Sequence, residues 1–370
     1  MPTFASLFTG GGLADIGAMQ AGYELLWGVE YDADIAAVAN ANLPHREKVY
    51  AESVMCIDWA KMTRPDHLHM SPPCQDFSVA KTSGKVGNDN DGLSDACVEA
   101  LKALQPSTVT LENVEGYRKA PGFQRIVDHL WGAGYWVNVD VLNSADFGVP
   151  QTRRRMILRA VQGGFPGPLP EPVKPWRGWY EAIEDLIPEL PETQFAPWQL
   201  ERLPKIFSGE SWMVQRQPGA RGDGVRGVNE PAKTYCSTDT DPKALLLSKD
   251  KGDYSDGHRW QDNPAMSVTA NDEGRRRAVL VDGVTNEGDR VTALGGDIPS
   301  FTVKASASKQ ASRASTPAGR VVRMTPRCLA RFQSVPDWYA LPEKKALACK
   351  IIGNGVPCLM MQRVMESFNS

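Results

Sequence analysis

Three short blocks place side chains that could carry out covalent chemistry at the ends of predicted strands. Cys74 follows two prolines that stiffen the backbone, and a thiol held there is a nucleophile if its pKa is lowered or a base lies near it. Glu112 ends another strand in a Glu-Asn-Val triplet, where a carboxylate can act as an acid or a hydrogen-bond partner. Gln151, Arg153 and Arg155 form a Gln-x-Arg-x-Arg block, and strand geometry predicts both arginines on one face. Each block also has a structural alternative: a buried thiol, a strand-end acid or a basic edge strand.

A glycine-rich turn near residue 10 predicts a binding site for a nucleotide-like ligand. Gly10, Gly11 and Gly12 follow the predicted first strand, and glycine lets the backbone approach a ligand closely. Glu30 ends the next predicted strand, where a carboxylate can accept hydrogen bonds from ribose hydroxyls. Because the last glycine of the dinucleotide fingerprint is missing, an adenosine-containing ligand fits at least as well as NAD. A further block, residues 353–357 (Gly-Asn-Gly-Val-Pro), opens the C-terminal helix.

The elements that must position these residues alternate between strand and helix over residues 1–160. This alternation predicts an α/β fold with a mostly parallel sheet, helices on both faces, and ligands at the carboxyl ends of the strands. After a linker near residue 163 and a short amphipathic helix predicted over 179–187, residues 190–320 become rich in Gly, Pro, Ser, Thr and Asp. Their short β-type runs predict a smaller β-rich region.

Composition excludes several classes of protein. The 41 basic and 44 acidic residues give a net charge of −3, which excludes a globally basic nucleic-acid coat protein but permits a local basic surface. Such surfaces are candidates at 275–277, an arginine triplet, and at 301–331, which contains no Asp or Glu. A mean hydropathy of −0.35 and the lack of a long apolar run predict no membrane span. Seven cysteines without a C-x-x-C pair and five scattered histidines indicate neither a disulfide framework nor a zinc site.

In their order along the chain, these blocks resemble the conserved motifs of the C5-cytosine DNA methyltransferase family. The resemblance covers residues 4–160 and 320–365, and the segment between them corresponds to the family's variable target-recognition region. It implies a Rossmann-like catalytic domain formed by residues 1–189 and 346–370, with a β-rich target-recognition domain over 190–345.

The resemblance also implies a mechanism, because C5 of cytosine is a poor nucleophile. Cys74 would add to C6 of a base flipped out of duplex DNA, and Glu112 would hold N3 and the exocyclic amine. Arg155 and Arg153 would contact the base and a neighbouring phosphate, with Gln151 positioning the segment. C5 would then take the methyl group of S-adenosylmethionine, and Cys74 would leave by β-elimination.

The implied cofactor is S-adenosylmethionine, with S-adenosylhomocysteine as product and no metal. Its expected contacts run from the glycine turn to the C-terminal helix: Phe8, Thr9, Gly10, Gly12, Glu30, Tyr31, Pro73, Asn354 and Val356. At the adenine edge the family has an acidic residue where this chain has Ser53 and Val54, and Asp58 is the competing candidate.

Expected DNA contacts are Gln75 and Ser78 beside the nucleophile, and Arg275, Arg277 and Arg313 on phosphates. A solvated basic surface is the alternative for the arginines.

The Ser-Pro-Pro-Cys-Gln variant also resembles the family's tRNA-methylating branch, so tRNA is the alternative substrate. A non-catalytic nucleic-acid-binding module would need a broken motif, and none is broken. We expect a cytoplasmic monomer that acts on duplex DNA, encoded by a prokaryote or a phage, as in restriction–modification.

Overall fold

We obtained a computed structural model of the protein. It describes residues 1–73, 89–193, 212–214, 225–227, 230–233, 243–247, 280–281, 292–293 and 319–369.

The centre of the fold is a seven-stranded sheet with the strand order β3-β2-β1-β4-β5-β8-β6. The strands are β1 (Thr3–Leu7), β2 (Glu24–Glu30), β3 (Val49–Ala51), β4 (His67–Met70), β5 (Thr108–Asn113), β6 (Tyr135–Asn143) and β8 (Arg154–Gln162), and the short β7 (Gln151–Thr152) precedes β8. Neighbouring strands from β3 to β5 are parallel, whereas β8 is antiparallel to both β5 and β6. The predicted mostly parallel sheet is confirmed, and the carboxyl ends of β1, β2, β4 and β5 lie at one edge.

Helices cover both faces of this sheet. They are α1 (Leu13–Gln20), α2 (Ala33–Asn42), α3 (Asp89–Leu104), α4 (Pro121–Gly132), α5 (Pro326–Phe332), α6 (Lys345–Asn354) and α7 (Cys358–Glu366). The α2 helix begins where the Asp32 carboxylate accepts hydrogen bonds from the backbone of Asp34 and Ile35, and α4 begins with Pro121, whose missing N–H costs nothing there. Within the described ranges, no helix has the length and apolar character that crossing a membrane requires.

Strand alternation divides the apolar residues into two cores. Phe4 and Leu25 point into one core, which also contains residues of α1, α6 and α7. The next residue of each strand, Ala5 and Leu26, points into the other core, against α3 and α4. Because successive side chains of a strand point to opposite faces, β1 and β2 carry apolar residues on both faces, as expected for a sheet buried on both sides.

The segment predicted as an amphipathic helix, 179–187, is not an α-helix. Turns are followed by a 3₁₀ helix, Glu184–Glu189, which contains Pro188. Proline has no N–H to donate and disfavours an α-helical residue before it, so the segment cannot continue as an α-helix. Trp179 and Ile183 are nevertheless fully buried, and they supply the apolar periodicity that suggested a helix.

Between residues 212 and 323 the described residues form mainly short strands. A four-stranded sheet has the order β10-β9-β12-β15, formed by β9 (Trp212–Val214), β10 (Val225–Gly227), β12 (Lys243–Leu247) and β15 (Gly319–Arg323). Two further strands, β13 (Leu280–Val281) and β14 (Thr292–Ala293), pair with each other. Strand β11 (Ala232–Lys233) pairs in parallel with β7. A separate target-recognition domain over 190–345 stays a prediction.

Candidate active site

An ion pair between Glu112 and Arg155 stands at the carboxyl end of β5. Arg155 Nε lies 2.9 Å from Glu112 Oε1, and the two side chains keep 14% and 9% of their surface exposed. The antiparallel pairing of β5 with β8 brings these residues together from distant parts of the sequence. Since an ionised carboxylate only accepts hydrogen bonds and a guanidinium only donates them, the pair offers both functions side by side at a largely buried position.

The other members of the Gln-x-Arg-x-Arg block have different partners. Arg153 lies between β7 and β8, is 2% exposed, and donates through Nη2 to the backbone oxygen of Gly353 at 3.2 Å. Arg154 is exposed, with Nη2 3.4 Å from Glu115 Oε2. Gln151 is fully buried, and its side-chain amide has no hydrogen-bond partner among the described residues. Arg153 therefore joins this block to the C-terminal helices, while Arg155 joins it to Glu112.

The turn that leads to Cys74 is fixed by hydrogen bonds from both sides. Ser71 Oγ donates to the backbone oxygen of Phe8 at 3.2 Å. Asn113 Nδ2 donates to the backbone oxygen of Pro72 at 2.9 Å, and its Oδ1 accepts from the backbone of Val114. Pro73 is exposed at the end of the described segment. The predicted site residues Cys74, Gln75 and Ser78 lie outside the described residues, as do Arg275, Arg277 and Arg313.

The glycine turn, residues 8–12, connects β1 to α1 and has an unusual backbone. Phe8, Gly10 and Gly12 adopt φ angles of 61°, 57° and 79°, which lie in the left-handed region. A Cβ on Gly11 would lie 2.3 Å from Ile351 Cγ2, and one on Gly12 would lie 2.2 Å from Leu43 Cδ1. By contrast, a Cβ on Gly10 would meet no atom within 4 Å. Gly11 and Gly12 are therefore required by the protein's own packing, whereas Gly10 faces open space that a ligand could fill.

Glu30 fastens this turn to the end of β2. Its Oε2 accepts from the backbone N–H of Gly10 at 2.9 Å, and its Oε1 accepts from that of Asp32, also at 2.9 Å. Tyr31, which lies between Glu30 and Asp32 in the sequence, is 80% exposed. The hydrogen bond from Lys350 lowers the pKa of Asp32, and this contact, 2.7 Å long, connects α6 to the start of α2. A carboxylate thus contacts the backbone of Gly10, and an exposed aromatic residue follows it in the chain.

The two candidates for the adenine edge differ in their surroundings. Val54 is buried, and Ser53 Oγ accepts from the backbone of Met55 at 3.3 Å. Asp58 is exposed, with Oδ2 2.8 Å from Lys61 Nζ, and the hydrogen bond from Lys61 lowers the pKa of its carboxyl group. Ser53 lies two residues beyond the end of β3 at Ala51, so it is the candidate nearer the sheet edge.

The C-terminal block packs against the start of α1. Asn354 ends α6 and is exposed, while Val356 is 4% exposed. A Cβ on Gly355 would lie 2.4 Å from Leu13 Cδ2, so only glycine allows this close approach. Sequence reasoning missed another contact here: the hydroxyl of Tyr339, fully buried, donates to the backbone oxygen of Gly11 at 2.6 Å. No local pattern relates residues 328 positions apart.

Comparison with known proteins identifies the family of this chain. A family model described as C-5 cytosine-specific DNA methylase matches residues 2–370. The chain belongs to this family. It is 28% identical over 386 aligned residues to the Type II methyltransferase M.XorII of Xanthomonas oryzae pv. oryzae, covering 98% of this chain and 83% of that relative. It is 25% identical over 365 residues to the Type II methyltransferase M.AplI of Arthrospira platensis, covering 98% and 84%.

Solved structures show the same fold for this methyltransferase. A DNMT2 variant of Spodoptera frugiperda superimposes with a TM-score of 0.61 at 15% identity, covering all of both chains. The methyltransferase EhMeth of Entamoeba histolytica gives a TM-score of 0.60 at 11% identity, covering 100% of this chain and 98% of that one. At these identities the likeness concerns the fold alone.

Family membership gives the activity. The protein is a DNA (cytosine-5)-methyltransferase, and DNA is favoured over the tRNA alternative by the family model and by the Type II relatives. The family's methyl donor is S-adenosylmethionine.

Proposed function

We propose that the methyltransferase forms a covalent bond between Cys74 and C6 of a flipped-out cytosine, and that Glu112 and Arg155 hold that base. The Glu112–Arg155 pair, with its 2.9 Å contact at the carboxyl end of β5, is the observation that carries the proposal. Cytosine presents N3 as an acceptor, O2 as an acceptor and the exocyclic amine as a donor. A protonated Glu112 would donate to N3 and accept from the amine, and Arg155 would donate to O2. The pair is therefore complementary to this edge of cytosine.

The electron flow assigns one role to each group. The Cys74 thiolate adds to C6, and the electrons of the C5–C6 double bond are held by the ring while Glu112 supplies a proton to N3. When bound, S-adenosylmethionine supplies the methyl group that becomes attached to C5. A base then removes the C5 proton, the C5–C6 double bond re-forms as the bond from C6 to sulfur breaks, the Cys74 sulfur leaves as thiolate, and Glu112 takes back the proton from N3. The chemistry uses no metal ion, and it needs the cytosine out of the base stack.

Two buried contacts support the position of the reacting groups. The hydrogen bond from Asn113 to Pro72 connects the strand that carries Glu112 to the turn that leads to Cys74. The hydrogen bond from Arg153 to Gly353 connects the other side of the pocket to the C-terminal block. The turn before Cys74 and the acid Glu112 are therefore both held at the carboxyl end of β5. Reacting groups that are held in a fixed orientation react faster.

We place S-adenosylmethionine over the open face of Gly10. Phe8, Thr9 and Gly12 shape the turn, and Glu30 would bind the ribose while Tyr31 stacks on the adenine. Of the two adenine-edge candidates we favour Ser53 with Val54, because Asp58 is already paired with Lys61. Pro73, Asn354 and Val356 would complete the pocket from the two neighbouring segments.

For the substrate, we propose that residues 190–345 read the target sequence in duplex DNA, with Gln75 and Ser78 close to the flipped base. Arg275, Arg277 and Arg313 would contact phosphates, which position a protein on DNA, whereas base contacts specify the sequence. We propose a monomer, since one chain carries every block. The Type II relatives come from bacteria, which supports a restriction–modification role in a prokaryotic cytoplasm.

Covalent trapping tests the nucleophile. The methyltransferase is incubated with S-adenosylmethionine and a random-sequence duplex in which 5-fluorocytosine replaces cytosine, so that no C5 proton is available and elimination cannot release the enzyme. We expect a denaturation-resistant DNA adduct with the wild type and with Cys56→Ser, which replaces an exposed cysteine. Cys74→Ser should form none while still binding S-adenosylhomocysteine. An adduct with Cys74→Ser, or its loss in Cys56→Ser, would refute the assignment.

A further inference from the structure

Four polar side chains lie beneath the glycine turn, hydrogen-bonded one to the next. His45 Nε2 is 2.8 Å from Asp15 Oδ2, Ser6 Oγ donates to the same Asp15 oxygen at 3.1 Å, and Ser6 Oγ is 2.8 Å from Thr9 Oγ1. The side chains of His45 and Asp15 keep only 2% and 0% of their surface exposed. An ionised Asp15 can only accept, so His45 and Ser6 are both donors, and this fixes the direction of the hydrogen bonds. None of the conserved blocks contains Asp15 or His45.

The series ends on the backbone that a ligand would meet. Thr9, its last member, belongs to the glycine turn, and its backbone N–H donates to the Val29 oxygen at the end of β2 while its own oxygen accepts from Gly12 at 3.0 Å. Asp15 lies in the first turn of α1, the helix that begins directly after Gly12. The same short loop that carries His45 also carries Leu43, which fills the space against Gly12. One loop therefore contacts the end of the turn through Leu43 and the start of α1 through His45.

The turn needs such support because its backbone is strained. Phe8 adopts a φ of 61°, which is unfavourable for a bulky aromatic residue, and such conformations persist only where surrounding contacts determine them. Ser71 Oγ holds the Phe8 oxygen on one side. The series from His45 to Thr9 holds the neighbouring residue on the other side.

We propose that Asp15 and His45 are positioning residues that hold the glycine turn in the conformation that binds the cofactor. They act through Ser6 and Thr9 and do not touch the cofactor themselves. The inference rests on the proposed function in one respect, the placement of S-adenosylmethionine over Gly10. The alternative is that the series only stabilises the fold, as hydrogen bonds between buried polar groups often do.

A variant of another buried histidine, His67, distinguishes a positioning role from a purely structural one. His67 also makes two side-chain hydrogen bonds, one between Nδ1 and Thr108 Oγ1 at 2.7 Å and one between Nε2 and Thr110 Oγ1 at 2.9 Å. It lies at the start of β4, at the opposite edge of the sheet from the glycine turn. His67→Asn therefore costs the fold similar buried contacts without touching the series.

The experiment measures S-adenosylhomocysteine binding by calorimetry, the melting temperature without ligand, and KM and kcat for methyl transfer. We expect His45→Asn to raise the Kd about tenfold and the KM for S-adenosylmethionine in parallel, with kcat at saturation retained. His67→Asn should lower the melting temperature and leave the Kd unchanged. Ser6→Ala, a small change that the fold tolerates more readily, should raise the Kd as well.

A double variant completes the test. If Ser6 and His45 act through one series, the Kd increase of the double variant is less than the product of the two single increases. Equal Kd values for wild type and His45→Asn, or equal increases in His45→Asn and His67→Asn, would overturn the inference while leaving the cofactor site standing. Lack of binding by the wild type would instead overturn the placement of the cofactor site, and the inference with it.

Discussion

The cytosine end and the cofactor end of the site are held by different kinds of contact. At the cytosine end, Glu112 and Arg155 form an ion pair whose members both keep accessible surface. At the cofactor end, the polar groups of Asp15, His45 and Tyr339 are almost fully enclosed and make contacts within the protein. Burial raises the pKa of the Tyr339 hydroxyl, which keeps it a neutral donor to Gly11.

The difference indicates what each end must do. Charged side chains that are to bind a polar base edge must remain reachable, and their pairing keeps them in place until the base arrives. A backbone turn that is to fit a ligand must instead be held in shape, and enclosed hydrogen bonds hold shape without competing for the ligand. Changes at the cytosine end should therefore reduce kcat, and changes at the cofactor end should weaken cofactor binding.

The largest effect is expected at Glu112. Glu112→Gln keeps the shape and an amide beside Arg155 but cannot supply a proton to N3, so kcat for methyl transfer should fall on the order of 100-fold or more. S-adenosylhomocysteine affinity should stay at the wild-type value. Glu115→Gln, which alters an exposed acid paired with Arg154, is the matched control and should keep full activity. A normal kcat in Glu112→Gln would remove the acid from the mechanism.

A smaller loss should follow from releasing the turn before Cys74. Asn113→Ala removes the hydrogen bond to Pro72, so the nucleophile should be less well placed, and kcat and the rate of 5-fluorocytosine trapping should both fall roughly tenfold. Asn40→Ala is the control, because the Asn40 amide also contacts the backbone twice, at Val49, away from the nucleophile. Equal trapping rates in the two variants would mean that Asn113 does not position Cys74.

The smallest effect should come from one hydroxyl group at the cofactor end. Tyr339→Phe removes a single neutral hydrogen bond to Gly11, so the Kd for S-adenosylhomocysteine should rise about fivefold with kcat unchanged. Tyr135→Phe, which removes a buried hydroxyl that donates to Pro106 from the edge strand β6, should leave the Kd as it is. A fall in kcat without a change in Kd would contradict the division between the two ends.

Sequence alone predicted the parts of the molecule that local chemistry controls. The strand–helix alternation predicted over residues 1–160 is observed, from β1 (Thr3–Leu7) to β8 (Arg154–Gln162). The family resemblance is confirmed by the match over residues 2–370. The Trp179–Ile187 helix was wrong because buried apolar side chains recur there without an α-helix, and Pro188 limits the segment to 3₁₀ geometry.

Contacts between distant segments could not be predicted in this way. Nothing in the local sequence of His45 distinguishes it from a surface histidine, and only the folded chain brings it to Asp15. Tyr339 reaches Gly11 across nearly the whole length of the chain. The alternation of Arg153 and Arg155 suggested a shared face, but the break between β7 and β8 gives them separate partners, Gly353 and Glu112.

The pairing of β11 with β7 bears on how this enzyme can be re-engineered. Ala232 donates to the Pro150 oxygen and lies opposite Gln151, so residues 232–233 form part of the support for the arginine block. Ala232 is fully buried, in the same core as Trp179 and Val322. A graft intended to change the methylated sequence should therefore join the foreign segment after Lys233 and before Gly319, keeping both host strands. A junction placed before Pro231 would also exchange the strand beside Gln151, and the hybrid would then need a matching arginine block from the same donor.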